Sequence, residues 1–204
     1  MTDAALHFLL TVAAFPRAAR EDAILAARDL WVAWPMVEIA PGVSVTSDVF
    51  ALGTIDEPIR VPLSGPGAQR VADVLGLSLI THGLSDAVWR AAEVKLEPDP
   101  WGPPYDATML TVARFVAHNG RIEERRAGRS GLIAGHKKDV IQASPANPGR
   151  VVIYGWHRAD GHPIQPVYPS MGDAPFVGHE LSYADYSHGI RLRTLDPAAA
   201  RYPT

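Results

Sequence analysis

From Gly131 onward the chain consists of short apolar and aromatic runs separated by turn residues, and this punctuation restricts the fold more than any other feature. The runs GLIAGHKKDVIQA, RVVIYGWH, HPIQPV and SYADYSHGIRLRT read as strands, and Pro148-Gly149 and Asp160-Gly161 separate the first three. Asp-Gly between two strand-like runs is a strong local sign of a hairpin, because it supplies the turn conformation that matches strand twist. A mostly antiparallel sheet is therefore expected in the last third of the chain.

The earlier part follows a different period. Residues 4–14 contain few helix breakers. Pro16 then opens a second helix with Ala19, Ala23, Leu25, Ala26 and Leu30 on one stripe, stopped at Trp34-Pro35. Short β-like runs follow: MVEIA, VSVTSDVFAL and IRVPL. Ser64 is a candidate N-cap for a helix to Leu75, ended by Gly76, and another helix is expected to begin near Ser85. Residues 97–105, EPDPWGPPY, carry four prolines and cannot form regular structure, which makes them a linker or lid candidate. Residues 108–126 are again helical in character.

The fold class expected is α+β, with N-terminal and central helices packed on a mostly antiparallel, strand-rich C-terminal sheet. A single domain over residues 1–204 is expected, helical over residues 1–130 except for a β segment at 36–63, and strand-rich over 131–195. With 204 residues, 47% of them hydrophobic, the chain can bury one sizeable core. A net charge of −3 without a basic excess argues against a nucleic-acid partner. No apolar run approaches membrane-spanning length. The absence of cysteine excludes disulfides, thiolate metal ligands and a cysteine nucleophile. MTDAALHFLL has an acid where an export signal carries bases, so the default expectation is cytoplasmic, with export requiring prior removal of a leader.

Five of the eight histidines fall between His136 and His188, beside glycine, aromatic or charged residues. Histidine titrates near neutrality and is the commonest metal ligand, so chemistry is sought there. Strand alternation places Asp185, Ser187 and Arg191 on one face of the last run, with Tyr186 and His188 on the other. By the same rule Lys137 and Asp139 share a face opposite His136 and Lys138, and His157 lies opposite Tyr154 and Trp156. Ser187 and His188 then point apart, so a site needs GHKKD and YGWH beside YADYSHGIR. P-loop, dinucleotide, GxSxG and EF-hand motifs are absent, as are HExxH and HxH.

FALGT, RVPL and AQRVAD, together with GHKKDV, YGWH and YADYSHGIRL, resemble a family of uncharacterised bacterial proteins over residues 20–192. That resemblance implies a common site without a reaction. Locally, Ser187-His188-Gly189 and Ile190-Arg191-Leu192 are similar to the SHGCIRL signature of L,D-transpeptidases of the YkuD type, which cross-link bacterial cell walls. The family's catalytic cysteine belongs between Gly189 and Ile190 and is missing, so cysteine-based transfer is ruled out.

The leading expectation is a small cofactor-free hydrolase acting on a cell-wall or other glycan or peptide polymer. His188 would be general base with Asp185 orienting it, and His136 and His157 would be partners across the sheet. Lys137, Asp139, Trp156, Tyr186, Ser187 and Arg191 would hold substrate. One alternative is a non-catalytic carbohydrate- or ligand-binding protein with a structural polar network. Another is a zinc hydrolase using His136, His157 and His188 as ligands.

Overall fold

The computed structural model describes residues 2–144, 148–165, 167–168, 174–175 and 179–203. Its helices are α1 (Thr2–Val12), α2 (Arg17–Ala26), α3 (Gly65–Leu75), α4 (His82–Ala91) and α5 (Val112–Arg126). The first strands are β1 (Met36–Ala40), β2 (Val43–Thr46), β3 (Ala51–Gly53), β4 (Pro58–Arg60), β5 (Leu77–Leu79), β6 (Val94–Lys95), β7 (Ile133–Ala134) and β8 (Lys138–Val140). Then come β9 (Arg150–Val151), β10 (Ile153–His157), β11 (Pro163–Gln165), β12 (Val167–Tyr168), β13 (Ala174–Pro175), β14 (His179–Glu180), β15 (His188–Gly189) and β16 (Leu192–Thr194).

The fold is α+β and its strand pairing is mostly antiparallel. One sheet has the order β1-β2-β16-β5, and a second has β11-β10-β8-β15. Within the second sheet, β15 runs parallel to β8 while the other neighbours are antiparallel. β16 inserts between β2 and β5, so the end of the chain completes a sheet begun near its start. The Asp160-Gly161 turn does form a hairpin: His157 pairs with Pro163, and Arg158 N–H donates to the His162 carbonyl.

Local chemistry accounts for the element ends. Ser64 caps α3 by accepting from Gly67 N–H, and Gly76 closes it in the left-handed region at φ 64°. Thr81, rather than Ser85, starts α4, its hydroxyl accepting from Leu84 N–H. Ser85 therefore lies inside the helix, where its hydroxyl is free to bond elsewhere. Thr111 caps α5, and the residues before it, Ala107–Leu110, form a separate 3₁₀ turn. The last run also departs from expectation. Only β15 and β16 are strand, and residues 183–187 between β14 and β15 form turn and irregular backbone. Residues 97–105 are without regular structure, as their prolines require. Pro166, in the expected HPIQPV strand, lies outside the described residues.

The largest apolar cluster joins Leu9 of α1, Ile24 of α2 and Val71 of α3 to Leu52, Leu79 and Ile153 from the strands and to Ile190 between β15 and β16. Each fully buried side chain of this size contributes about 1.5–3 kcal/mol. A second cluster seats Val88 and Trp89 of α4 against Val45, Leu132 and Val152. Among the described residues, no helix is long and apolar enough to cross a membrane.

Candidate functional site

A cleft of 240 Å³ opens between the proline-rich segment and the second sheet. Trp101, Tyr105 and Met109 line one side, and Lys138, Trp156, Tyr183, Asp185 and Tyr186 the other. Backbone geometry at Gly155 and Trp156 creates the aromatic wall. Both residues sit in the left-handed region, at φ 97° and 61°. A bulky residue there costs about 1–3 kcal/mol, and such strain concentrates at functional sites. The paired reversal also breaks strand alternation. Tyr154 and His157, expected on opposite faces, both bond Asp86, while Trp156 packs toward Tyr186 with ring centroids 6.4 Å apart.

Lys138 brings its ammonium to 4.9 Å from the Trp156 ring centre, a cation–π contact. It makes no hydrogen bond among the described residues, and burial lowers its pKa. The Trp156 indole N–H is buried and has no partner among the described residues. Of the cleft carboxylates, both oxygens of Asp185 and Oδ1 of Asp106 accept hydrogen bonds. Asp185 accepts from the Tyr183 hydroxyl at 3.0 Å, from Ser187 N–H at 2.8 Å and from the Ser187 hydroxyl at 2.6 Å. Asp106 accepts from the backbone and hydroxyl of Thr108. Burial raises the Asp185 pKa, but the charges of His188 and Lys138 and the Ser187 bonds outweigh it and hold the carboxyl at about 2.

Asp185 does not orient His188, contrary to the sequence expectation. The His188 N–H closes a turn onto the Asp185 carbonyl, and both imidazole nitrogens are buried without partners among the described residues. Burial pushes the His188 pKa down to about 4 despite the neighbouring Asp185 charge. Gly189 is required beside it, because an added Cβ would sit 2.7 Å from Lys137 Cβ and 2.8 Å from Val49 Cγ1.

Lys137 lies behind the cleft and does not line it. Its ammonium, 3% exposed, donates to Nδ1 of His118 at 3.0 Å and to the Tyr186 carbonyl. Nε2 of His118 is 3.2 Å from the Asp99 carbonyl, so the proton belongs on Nε2 and the ring is neutral. Burial and then the Lys137 charge keep the His118 pKa far below its ordinary value. Burial, reinforced by Arg60, brings Lys137 down to about 7. His118 thus anchors Lys137 and packs edge-on against Tyr186 at 4.8 Å.

The remaining candidates occupy separate surroundings. Nε2 of His136 is 2.9 Å from Asp48, whose carboxylate also receives Arg60 Nε at 3.0 Å. Arg60 continues to Glu123 and Asn119 on α5, making a buried link between elements. His157 bonds Asp86 at 2.7 Å and stacks on Trp89 at 5.5 Å, beside a different opening. Asp139 accepts from Ser85 at 2.6 Å, and burial raises its pKa. Arg191, 2% exposed, donates to the carbonyls of Thr46 and Ile133 and so ties β2 to β7. The expected meeting of His136, His157 and His188 across the strands is absent. Among the described residues, no three His, Asp or Glu side chains are arranged to hold a metal ion.

The cleft thus unites Trp156, Asp185, Tyr186 and Ser187 of the sequence candidates, and adds Lys138 and Trp101. Lys138 had a usable signal in its place beside Lys137. Trp101 had little, because nothing in a proline-rich loop specifies where the loop returns. No family model matches the chain, and neither curated proteins nor solved structures gave a match.

Proposed function

We propose that this protein binds a carboxylate-bearing segment of a glycan or peptide polymer, as found in bacterial cell walls, in the cleft beneath Trp101. The reading rests on one imbalance. Two donors there, Lys138 Nζ and Trp156 Nε1, have no hydrogen-bond partner among the described residues, whereas both oxygens of the Asp185 carboxylate and Oδ1 of Asp106 already accept. A ligand completing such a site has to bring acceptors, and a carboxylate is the natural partner for an ammonium. The Tyr105 ring, 77% exposed, supplies flat apolar surface suited to a sugar or peptide face.

Hydrolysis at this cleft is the second reading. The observation favouring it is the Ser187 hydroxyl, 2.6 Å from Asp185 in the cleft wall. Ser187 is only 1% exposed, so the binding reading comes first.

The test is titration of the full chain with a muramyl dipeptide, its carboxyl-amidated form and chitotetraose. Saturable binding is expected only for the free carboxylate, weakened about tenfold or more in Lys138→Met by loss of a charge-assisted bond. Equal affinity for all three ligands, or an unaffected Lys138→Met protein, would refute the reading. Fragment cleavage abolished by Ser187→Ala would promote the hydrolase reading.

A further inference from the structure

A larger cavity of 510 Å³ lies away from this cleft, between the segment 28–36, the end of α3 and strands β5 and β16. Trp31, Trp34, Phe50, Leu77, Ile190 and Leu192 form much of its wall. Three of the exposed large hydrophobic residues stand at it: Met36, Val74 and Leu75, at 41%, 42% and 49%. A concentration of exposed apolar surface on one concavity marks a binding site more often than scattered exposure does. The volume lies within the usual range for small-molecule sites.

The polar side chains of the wall narrow the choice of ligand. The Trp31 N–H donates to the Ile24 carbonyl and the Trp34 N–H to the Val49 carbonyl. The Thr46 hydroxyl accepts from Leu192 N–H. An entering peptide would bury backbone N–H and C=O groups against these committed partners, each unpaired group costing about 1–3 kcal/mol. An alkyl chain carries no such groups. One charged residue, Arg28, lines the cavity, and its exposed guanidinium makes no hydrogen bond or ion pair among the described residues.

We infer that this cavity binds a single-chain amphiphile, its alkyl chain against Trp31, Trp34 and Phe50 and its anionic head at Arg28. A fatty acid and the free chain of an anionic lipid share this chemistry. The site is independent of the polymer reading, since its wall includes none of the cleft residues.

Isothermal titration of the full chain with sodium decanoate below its micellar concentration tests the inference. One-to-one saturable binding is expected. Val74→Arg places a charge at an exposed wall position and should abolish it while leaving the melting temperature unchanged. Arg28→Glu should weaken decanoate about fivefold and leave decanol unaffected, as expected for an exposed charge contact. Vesicles with and without phosphatidylglycerol separate the sources: retention on the anionic vesicles, lost in Val74→Arg, would assign the chain to a lipid. Decanoate binding without retention would assign a free acid. Absence of saturable binding to both decanoate and decanol would overturn the inference. So would binding unchanged in Val74→Arg, or a concentration-dependent dimer that Val74→Arg dissolves, which would make the face a self-association surface.

Discussion

Lys137 and Lys138 are adjacent, yet one reaches inward to His118 and the other faces the cleft. Lys137 is nearly sealed from solvent, and burial followed by the Arg60 charge lowers its pKa from 10.5 to about 7. The unfolded chain then binds the extra proton between pH 7 and 10.5, so stability rises with pH across that window. Lys137→Met removes the titration. Wild type should become more resistant to urea from pH 7 to 9, and the variant should lose that increment, whatever its absolute stability. Equal increments in both proteins would show that Lys137 keeps its proton in the fold. At Lys138 the expected effect is on ligand affinity, because its ammonium has no hydrogen bond to lose.

At the scale of elements, the β7–β8 connection depends on Gly135. Its φ is 89°, and an added Cβ would collide with the Leu96 carbonyl oxygen and lie 2.5 Å from the Trp89 ring. Gly135→Ala should therefore cost several kcal/mol, about 2–4, through strain and a displaced α4 contact. A denaturation midpoint close to wild type would show that the backbone can give way there. Asp48→Ala should cost about 3–5 kcal/mol, because Arg60 would stay buried without its main counter-charge. Arg60→Met together with Asp48→Leu should recover most of that loss, measurable in the same denaturation series.

These elements also show what the sequence could reveal. The β10–β11 hairpin was legible because Asp160-Gly161 is a local signal, and the α3 caps were legible because Ser64 and Gly76 act within one turn. The faces of β10 were not. Alternation holds only while φ stays negative, and two successive left-handed residues at Gly155 and Trp156 carry Tyr154 and His157 to one side. The turn at Asp185 was hidden for a different reason: an aspartate bonding Ser187 competes there with strand geometry. His118–Lys137 and Asp48–His136 are contacts between distant segments, and no spacing rule encodes them.

For the whole molecule, burial of ionisable groups sets the pH of greatest stability. His136 and His188 both fall from 6.5 to about 4, chiefly through burial, and His118 falls further. Each is neutral in the fold and protonated in the unfolded chain between pH 4 and 6.5, so stability is lost as pH falls through that window. Each imidazole contributes a slope of about 1.4 kcal/mol per pH unit at most. Asp139 acts in the opposite direction, since its raised pKa favours the fold as its proton is retained. Above pH 7 the Lys137 increment adds, until the hydroxyls of Tyr154, Tyr183 and Tyr202, whose pKa values are raised, reverse the trend past pH 10. Greatest stability is therefore expected between about pH 8 and 10, above the common range of 5 to 8. Urea denaturation at pH 4.5, 6.5 and 9 should give ascending midpoints. His188→Leu, which also removes two unbonded nitrogens, should be at least as stable as wild type at pH 6.5 and lose less on acidification. Midpoints that peak at pH 6, or a His188→Leu protein with the full acid slope, would place a charged imidazole in the native fold and undo the burial argument.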